Sequence, residues 1–570
     1  MRERTDKLTG AQIICESLLQ EGVDTVFGYP GGAVIQLYDT LIDYPELHHV
    51  KVRHEQAAAH AADGYARASG RVGVCIATSG PGATNLVTGI ATAYADSSPV
   101  VAITGQVASH LLGRDAFQEV DIVGITLPIT KHSFLVTPKD DLARVMKEAF
   151  YIARTGRPGP VLVDITKDAL AARSEFHYPE TVDLPGYKPT LRGHSRQIER
   201  AAEMIGQAQR PVILAGHGVI LAGAEEELRA LAERANLPVI TTLLGIGAIP
   251  ETHRLALGMV GMHGAVHANE AVQEADLVLV LGARLSDRVT GKLGHFAPNA
   301  KIIHVDVDPA EIGKNVKVSL AIVGDLREVL AELTPLVEPK LCADWLTELL
   351  KRQMRTQDRA ALQPTDGRLL APMVIREIWR ATRGQAIMVS DVGQNQMWEA
   401  QYYFHDRKRG LITNGGLGTM GFGLPAAMGV QAACPGETVW VVVGDGGIQM
   451  NIQELATIVQ ERYPIKIALL NNGYLGMVRQ WQELFFERRY AYTPISGPNY
   501  LKLAEAYGIP ARRVADSDDM PAAIAEALAI KGPALLEFMV ESEDNVYPMV
   551  PAGATLSEMI ERHTVEASGK

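Results

Sequence analysis

The run Val439-Trp440-Val441-Val442-Val443-Gly444-Asp445-Gly446-Gly447 decides how the rest of the chain is read. A helix-like stretch at 451–460 follows, then a second apolar run at 465–470, then Asn471-Asn472-Gly473-Tyr474 and on to Trp481. Short β-branched runs bounded by breakers predict two buried strands of a parallel sheet. Ligands of such sheets sit beyond the carboxyl ends of the strands. Asp445 and Asn472 each fall just past such an end, so their oxygens can meet at one point. One charged and one neutral oxygen ligand, beside glycines that admit a phosphate to the backbone, suit Mg2+ held against a diphosphate. Gly-Asp-Gly alone is equally an ordinary strand-to-helix turn.

The totals set bounds on the rest. At 570 residues the chain is too long for one core; roughly three to four domains are expected. Apolar content of 47% and charged content of 21% are those of a globular protein. The net charge of −12 gives no electrostatic footprint for nucleic acid. No apolar run is long enough to span a bilayer, and Met1-Arg2-Glu3-Arg4-Thr5-Asp6-Lys7 lacks the apolar segment of a signal peptide. A cytoplasmic protein is expected. Cys15, Cys75, Cys342 and Cys434 are widely spaced and read as reduced small apolar residues.

The full pattern of Gly-Asp-Gly, a strand-helix-strand spacer and Asn-Asn resembles the diphosphate-binding motif of thiamine diphosphate enzymes. The continuation Asn471-Asn472-Gly473-Tyr474-Leu475-Gly476-Met477-Val478-Arg479-Gln480-Trp481-Gln482 closely resembles the catalytic subunit of acetohydroxyacid synthase, also called acetolactate synthase. The resemblance runs from about Gly10 to about Ile560. It implies an α/β fold of three doubly wound parallel-sheet domains, the thiamine diphosphate-enzyme architecture with a FAD-binding middle domain. The expected divisions are a pyrimidine-binding domain at 1–175, the FAD domain at 195–335, a diphosphate and Mg2+ domain at 370–550 and a tail at 551–570.

In the first domain, apolar residues at 11–21 recur at helical spacing and predict a helix. Val26-Phe27-Gly28-Tyr29-Pro30-Gly31-Gly32-Ala33 is a strand breaking into a turn. The resemblance points this turn, with Pro30 and Gly32, at the active site of a neighbouring subunit. A short strand at 50–53 leads into His54-Glu55-Gln56-Ala57-Ala58-Ala59, which opens an alanine-rich helix. From spacing alone, Glu55 serves the helix dipole. The resemblance of Arg53-His54-Glu55-Gln56 implies another role, a carboxyl group bonded to the pyrimidine nitrogen that drives the cofactor into its imino tautomer.

Further strands are predicted at 72–78, 99–104 and 161–165, the first turning through Ser79-Gly80-Pro81-Gly82 into a helix. This repeats the strand-turn-helix at Gly444 and predicts two similarly folded domains flanking the cofactor. Gly113-Arg114-Asp115-Ala116-Phe117-Gln118-Glu119 reads as a loop. The resemblance makes it a lining of the substrate channel, with Phe117 and Gln118 in the active site. Arg114 stands where most relatives have threonine. Arg157 matches a flavin-contacting arginine. Lys167 matches a lysine near the substrate channel, while its local reading is a solvated strand-end lysine.

Residues 171–195 read as a linker. Strands at 211–214, 238–242, 276–282 and 301–305 end in acidic residues or glycines, which predicts a nucleotide cleft on a six-stranded parallel sheet. The resemblance implies FAD on Arg157, Gly216, His217, Gly218, Thr242, Leu243, Gly261, Met262, His263, Gly282, Arg284, Asp287, Arg288, Asp306, Gly324 and Asp325. It also places Arg288 at the substrate. The alternative is a middle domain of this fold with an empty or recruited cleft.

Residues 334–370 read as a second connector, charged and partly helical. A strand and loop at 387–394 and a glycine-rich loop at 415–423 follow. By resemblance, thiamine diphosphate contacts Pro30, Glu55, Gly393, Gln394, Asn395, Gly418, Met420, Gly444, Asp445, Gly446, Gly447, Asn472, Tyr474, Leu475, Gly476 and Met477. The metal falls to Asp445, Asn472 and Tyr474. Asn395 replaces a histidine usual in relatives; its amide can donate to phosphate but carries no charge. Met477 is the bulky side chain that bends the cofactor, and Met420 stands beside the aminopyrimidine; read locally, both are core residues. Trp481 is placed at the mouth of the substrate channel, although a tryptophan there is more often core. Asn545-Val546-Tyr547-Pro548-Met549-Val550-Pro551 resembles the segment that covers the site.

Two classes compete: an enzyme, and a catalytically dead scaffold of the same fold that binds partners. A scaffold needs none of Glu55, Asp445 and Asn472, so their joint presence favours the enzyme. Another decarboxylase or ligase of the superfamily is the runner-up among enzymes. The implied reaction decarboxylates pyruvate and ligates the two-carbon unit to a second pyruvate or to 2-oxobutyrate, giving 2-acetolactate or 2-aceto-2-hydroxybutyrate for branched-chain amino acids. The resemblance further implies a homodimer or tetramer with sites between subunits, and a small regulatory subunit.

Overall fold

The apolar runs around Phe27, Cys75, Ala102 and Val163 become strands of one parallel sheet. The computed structural model describes residues 7–339, 342–356, 360–363 and 368–562. In sheet order the strands are His48–Lys51, Thr25–Gly28, Gly73–Ala77, Val100–Gln106, Val161–Thr166 and His132–Val136. The four inner strands are buried along their whole length, as expected where helices cover both faces.

A second parallel sheet runs Leu411–Ile412, Ile387–Ser390, Val439–Gly444, Lys466–Asn471, Ala534–Met539 and Ala511–Val514. Counted from the first strand of each domain, both sheets have the order 2-1-3-4-6-5. The repeated strand-turn-helix pattern thus reflects two domains of one topology. Between them in sequence lies a third parallel sheet: Ala256–Met259, Val239–Thr241, Pro211–Ala215, Leu277–Leu281, Lys301–Asp306 and Leu320–Val323. Its order, 3-2-1-4-5-6, is that of dinucleotide-binding sheets. The expected α/β architecture of three parallel-sheet domains is the one observed.

The first and third domains share a core. Helix Glu55–Ser69 lies against helix Gly423–Ala433, and Phe27, Ala61 and Tyr65 join Phe422, Ala426 and Val441 in one apolar cluster. A methyl group on Gly64 would collide with the carbonyl of Ala426, and one on Gly429 with that of Ala61. Glycine is what lets these backbones meet. Beside this contact the buried Arg67 binds Asp63 at 2.6 Å and Asp96 at 3.0 Å, and donates to the carbonyl of Thr413 at 2.7 Å. Such pairing is what makes a buried charge tolerable.

Several stretches depart from the sequence reading. Within 171–195, Arg173–Ser174 pairs antiparallel with Leu8–Thr9 and fastens the first domain to its own exit. Thr334, read as the start of a connector, lies inside helix Leu326–Leu336, because Leu330 and Leu333 reach the middle domain's core. Helix Ala343–Thr356 covers the same domain through Trp345 and Leu349. Residues 340–341, 357–359 and 364–367 of that connector lie outside the described residues. So do residues 1–6, read as lacking a targeting segment, and residues 563–570 of the tail.

The chain after Pro548 packs on the middle domain. Val550 and Leu556 are buried in its apolar cluster, and the Val550 N–H donates to the Met262 carbonyl at 2.8 Å. Cys15, Cys75 and Cys342 are buried in apolar clusters, in line with their reading as small apolar residues. Among the described residues no helix is long and apolar enough to cross a membrane.

Candidate active site

Strand Val439–Gly444 ends in glycine, and Asp445 opens the short helix Asp445–Ile448 directly, where a tight turn was expected. The Asp445 carboxylate accepts the Gly446 N–H at 3.0 Å and the Gly473 N–H at 2.8 Å. Gly473, with φ of 72°, belongs to the turn after strand Lys466–Asn471. The two halves of the motif therefore meet at one carboxylate. In that same turn Asn472 accepts the Tyr474 N–H at 3.1 Å.

Asp445 is buried, and the loss of water pushes its carboxyl up to about 6. Backbone donors offset this only in part, and no ion pair to it occurs among the described residues. A cation there would remove the penalty. Among the described residues no cluster of three or more His, Cys, Asp or Glu could hold a metal. One carboxylate with neutral oxygens, completed by phosphate and water, is a donor set for a hard cation such as Mg2+ and not for a metal that prefers thiolate or imidazole. The Tyr474 ring packs on Tyr490, centroids 6.0 Å apart, so a ligand from Tyr474 would be its main-chain carbonyl.

Glycines in the walls make room for neighbouring side chains. A Cβ on Gly446 would stand 2.7 Å from Leu475, and one on Gly476 would collide with the Gln394 amide. Gly393 and Gly418 have φ of 144° and 74°, in the region that favours glycine. Gly444, Gly447, Met420 and Met477 complete the cavity. Asn395 lines it too, but with a correction. Its amide nitrogen donates to the carbonyls of Asp391 at 2.6 Å and Val442 at 3.4 Å, so its oxygen, not its donor, lies beside Gly393 and Gly444.

Helix Gly476–Phe485 carries Met477 and Trp481 and is strapped from outside. Gln480 exchanges two hydrogen bonds with the backbone of Val546, at 3.0 and 2.8 Å. Gln394 joins Gln480 to the Asp544 carbonyl, both at 3.0 Å. Trp481 is half-buried beside Phe485 and lines the larger cavity described below, which its core reading does not account for.

The N-terminal candidates gather at the carboxyl edge of their own sheet. Glu55 is the first residue of its helix, which His54 caps by accepting the Gln56 N–H at 3.1 Å. One carboxylate oxygen of Glu55 accepts the Asn85 amide at 2.9 Å; the other lies 3.3 Å from where a Cβ on Gly82 would be. Thr78 holds the turn after Pro30, accepting the Ala33 N–H at 3.1 Å, and fills the space beside Gly31, next to Gly32. A Cβ on Gly80 would meet Gln118 at 2.9 Å. Gln118 is left-handed, with φ of 60°, and its neighbour Phe117 is 88% exposed. Lys167 is exposed, directly follows strand Val161–Thr166 and begins helix Lys167–Ala171, as its local reading has it. None of Pro30, Gly32, Glu55, Phe117, Gln118 and Lys167 lines either cavity.

The larger cavity, about 690 Å³, lies beyond the carboxyl ends of the middle sheet and opens past Gly393 and Met420 onto the Asp445 half-site. It is of ligand size. It crosses the switch point between strands Pro211–Ala215 and Leu277–Leu281, where Gly218 and Gly282 leave backbone exposed. Asp306 is buried at a strand end and held up at about 6 by that burial. Arg157 bonds Glu311 at 2.7 Å, Asp308 at 3.2 Å and Ser97 at 2.8 Å. His217 meets the Asp96 carbonyl at 3.0 Å, and Arg284 the Ala95 carbonyl. Thr242, Leu243, Met262, His263, Arg288 and Asp325 also line the cavity. An elongated cleft with a glycine collar and a strand-end acid fits a dinucleotide.

Four expected flavin residues are not brought to this cleft. Gly216, Gly261 and Gly324 shape its walls by close packing, and Asp287 faces solvent beside Arg288. Other residues went unread. Asp96 accepts the N–H groups of Gly415 at 3.1 Å and Gly416 at 2.8 Å, tying the first domain to the glycine loop. Asp391, fully buried and raised to about 6 by burial, accepts N–H bonds from Gly421 and Gly423, both at 3.0 Å. Its strand-end position is the same signal that found Asp445.

Residues 8–125 match the family described as thiamine pyrophosphate enzyme, N-terminal TPP binding domain; residues 198–333 match its central domain, and residues 391–538 its C-terminal TPP binding domain. The chain is 51% identical over 565 residues to acetolactate synthase of Mycobacterium bovis, covering 97% of this chain and 91% of that one. It is 49% identical over 572 residues to a probable acetolactate synthase large subunit of Methanocaldococcus jannaschii, covering 98% and 96%. To the acetolactate synthase isozyme 3 large subunit of Escherichia coli it is 46% identical over 567 residues, covering 97% and 98%.

Proposed function

Because the chain belongs to the acetolactate synthase large-subunit family of thiamine diphosphate enzymes, we propose that its two half-sites, joined across a subunit boundary, form the active site. Its reaction is the thiamine diphosphate-dependent condensation of pyruvate that serves branched-chain amino acid synthesis. The observation that carries the proposal is that Glu55 is not among the residues lining the Asp445 cavity of its own chain. A dimer in which each chain lends Glu55 to the other's Asp445 half-site completes two active sites; dimers of dimers extend the same arrangement. A small regulatory subunit fits relatives named as large subunits. The cytoplasm is the proposed location.

Thiamine diphosphate supplies the electron sink for decarboxylation and carbon–carbon ligation. Asp445, Asn472 and the Tyr474 carbonyl would hold Mg2+ and with it the diphosphate, while Gly446 and Gly476 let Leu475 and Gln394 close in around the site. Met477 and Leu475 support the cofactor from the apolar side, with Met420 near the pyrimidine. Glu55 holds a proton at the pyrimidine nitrogen, steadied by Asn85. Gly32, Phe117, Gln118 and Lys167 arrive from the neighbouring subunit to orient the 2-oxo acids and exclude water. Arg288 and Trp481 border the route by which the second acid, pyruvate or 2-oxobutyrate, enters.

The cleft of the middle domain, with Gly218, Gly282, Asp306 and Arg284 in its lining, would hold FAD. Condensation moves no net electrons, so the flavin acts as part of the wall. The deciding experiment is product analysis of purified protein given pyruvate, thiamine diphosphate and Mg2+, with and without FAD. Acetolactate is expected, with full activity only when flavin is bound; acetaldehyde as the main product would point to a plain decarboxylase.

A further inference from the structure

Glu454 follows the Asp445 turn by one short segment, is fully buried and lines neither cavity. One of its oxygens accepts the main-chain N–H of Arg53, in the first domain, at 2.9 Å. The other accepts the hydroxyl of Thr457 at 2.7 Å. The Arg53 guanidinium returns the contact, donating to Thr457 at 3.4 Å and to Gln460 at 3.0 Å. His54, next in the chain, is extended and caps the helix that Glu55 opens. Glu454 therefore clamps the two residues whose backbone sets where Glu55 points.

Adhesion alone does not call for this group. The helices Glu55–Ser69 and Gly423–Ala433 already join the domains through apolar contact. A buried carboxylate is costly unless its oxygens are satisfied, and this one is satisfied by a main-chain donor two residues from Glu55.

We infer that Glu454 is a positioning residue for Glu55 of the same chain, tying the diphosphate-binding turn of one half-site to the carboxyl group of the other. The inference rests on the proposed role of Glu55. Since the two half-sites of a chain serve different active sites in the dimer, Glu454 links those sites through the protein.

Glu454→Ala removes the acceptor, whereas Glu454→Gln keeps an oxygen in its place. In holoenzyme with saturating thiamine diphosphate and Mg2+, the thiazolium C–H exchanges for deuterium, which acid quench and NMR can follow. Glu454→Ala should slow this exchange by roughly tenfold or more, and Glu454→Gln should restore it to within about threefold. Titrated cofactor affinity should stay within about threefold in both, because no diphosphate or metal contact is touched. In cofactor-free protein, amide exchange over residues 53–56 should speed up in Glu454→Ala. If Glu454→Ala does not fold, Thr457→Val tests the same contact and should slow deuteration about two- to threefold. Parental deuteration rates in the variant that folds, or affinity falling as far as rate, would overturn the inference. Glu55→Gln is the control: if it too deuterates at the parental rate, the role of Glu55 has failed, and not only that of Glu454.

Discussion

Asn85 donates its amide to one carboxylate oxygen of Glu55 across 2.9 Å. That oxygen is held inside the first domain, and the other is left for a ligand. Glu55→Gln should keep fold and cofactor affinity but lower acetolactate formation by about 10²- to 10⁴-fold, since an amide cannot hold the shared proton. Turnover assayed at saturating cofactor checks this; a near-parental rate would remove Glu55 from the chemistry.

Asp445→Ala strips the only charged oxygen from the proposed metal site. Affinity for Mg2+ and thiamine diphosphate should fall on the order of 100-fold, while the cofactor-free protein becomes no less stable, because a buried carboxylate without a cation has gone. Cofactor titration and melting curves of the apo-protein report the two effects separately. Unchanged affinity would refute the metal assignment.

Gly218→Ala is directed at the flavin cleft. The added methyl would stand 2.7 Å from the Gly282 Cα and 3.1 Å from its carbonyl oxygen, forcing apart the strand ends at the switch point. Flavin content of the purified protein should drop at least about tenfold, which corresponds to about 1.4 kcal/mol of lost binding. Affinity for thiamine diphosphate in cofactor titrations should stay unchanged. Normal flavin content would mean that the dinucleotide does not use this crossing.

Asp391 gives a pH dependence of known sign. An unfolded aspartate titrates near 4, whereas burial raises folded Asp391 to about 6. Folded protein binds that proton more tightly, so the stability it adds is present below about pH 4 and lost as pH rises through 6. Asp391→Asn abolishes this dependence. The stability of the parent relative to the variant should therefore fall by roughly 2 kcal/mol between pH 4 and pH 7. Melting temperatures of both apo-proteins across that range measure it; a constant difference would show that Asp391 does not titrate there.

Trp481→Leu should leave pyruvate-only turnover largely intact and lower the preference for 2-oxobutyrate as acceptor. A methylene packed on an apolar wall discriminates by roughly 1–3 kcal/mol. Competition between the two acids, with both products quantified, reads the preference. An unchanged product ratio together with a sharp loss of stability would make Trp481 a core residue.

Most interior strands were legible in the sequence, whereas of the edge strands only His48–Lys51 was, as the run at 50–53. The runs at Val441, Ile213 and Ile103 are buried on both faces and read as unbroken apolar stretches. His132–Val136 and Ala511–Val514 lie at sheet edges, keep polar residues and have no such signature. The interior strand Ala534–Met539 is disguised by Glu537, whose charge is met by Arg513 at 2.8 Å. At the site, Asp445 and Asn472 could be paired because a parallel sheet brings strand ends together. Asp96 and Glu454 could not, because their partners sit in another domain and no local spacing reveals such a contact. The orientation of Asn395 was hidden for a similar reason: the carbonyls that turn its amide are 4 and 47 residues away.

Gly64 and Ala426 touch with no room for a side chain, yet the ribosome makes them some 360 residues apart. At about 5–20 residues per second, helix Glu55–Ser69 waits roughly twenty seconds to over a minute for its partner. During that time the face it presents is mostly alanine and glycine, which offers other nascent chains little apolar area to hold. The residues that permit the closest approach in the finished protein are also those safest to leave uncovered on a half-made one.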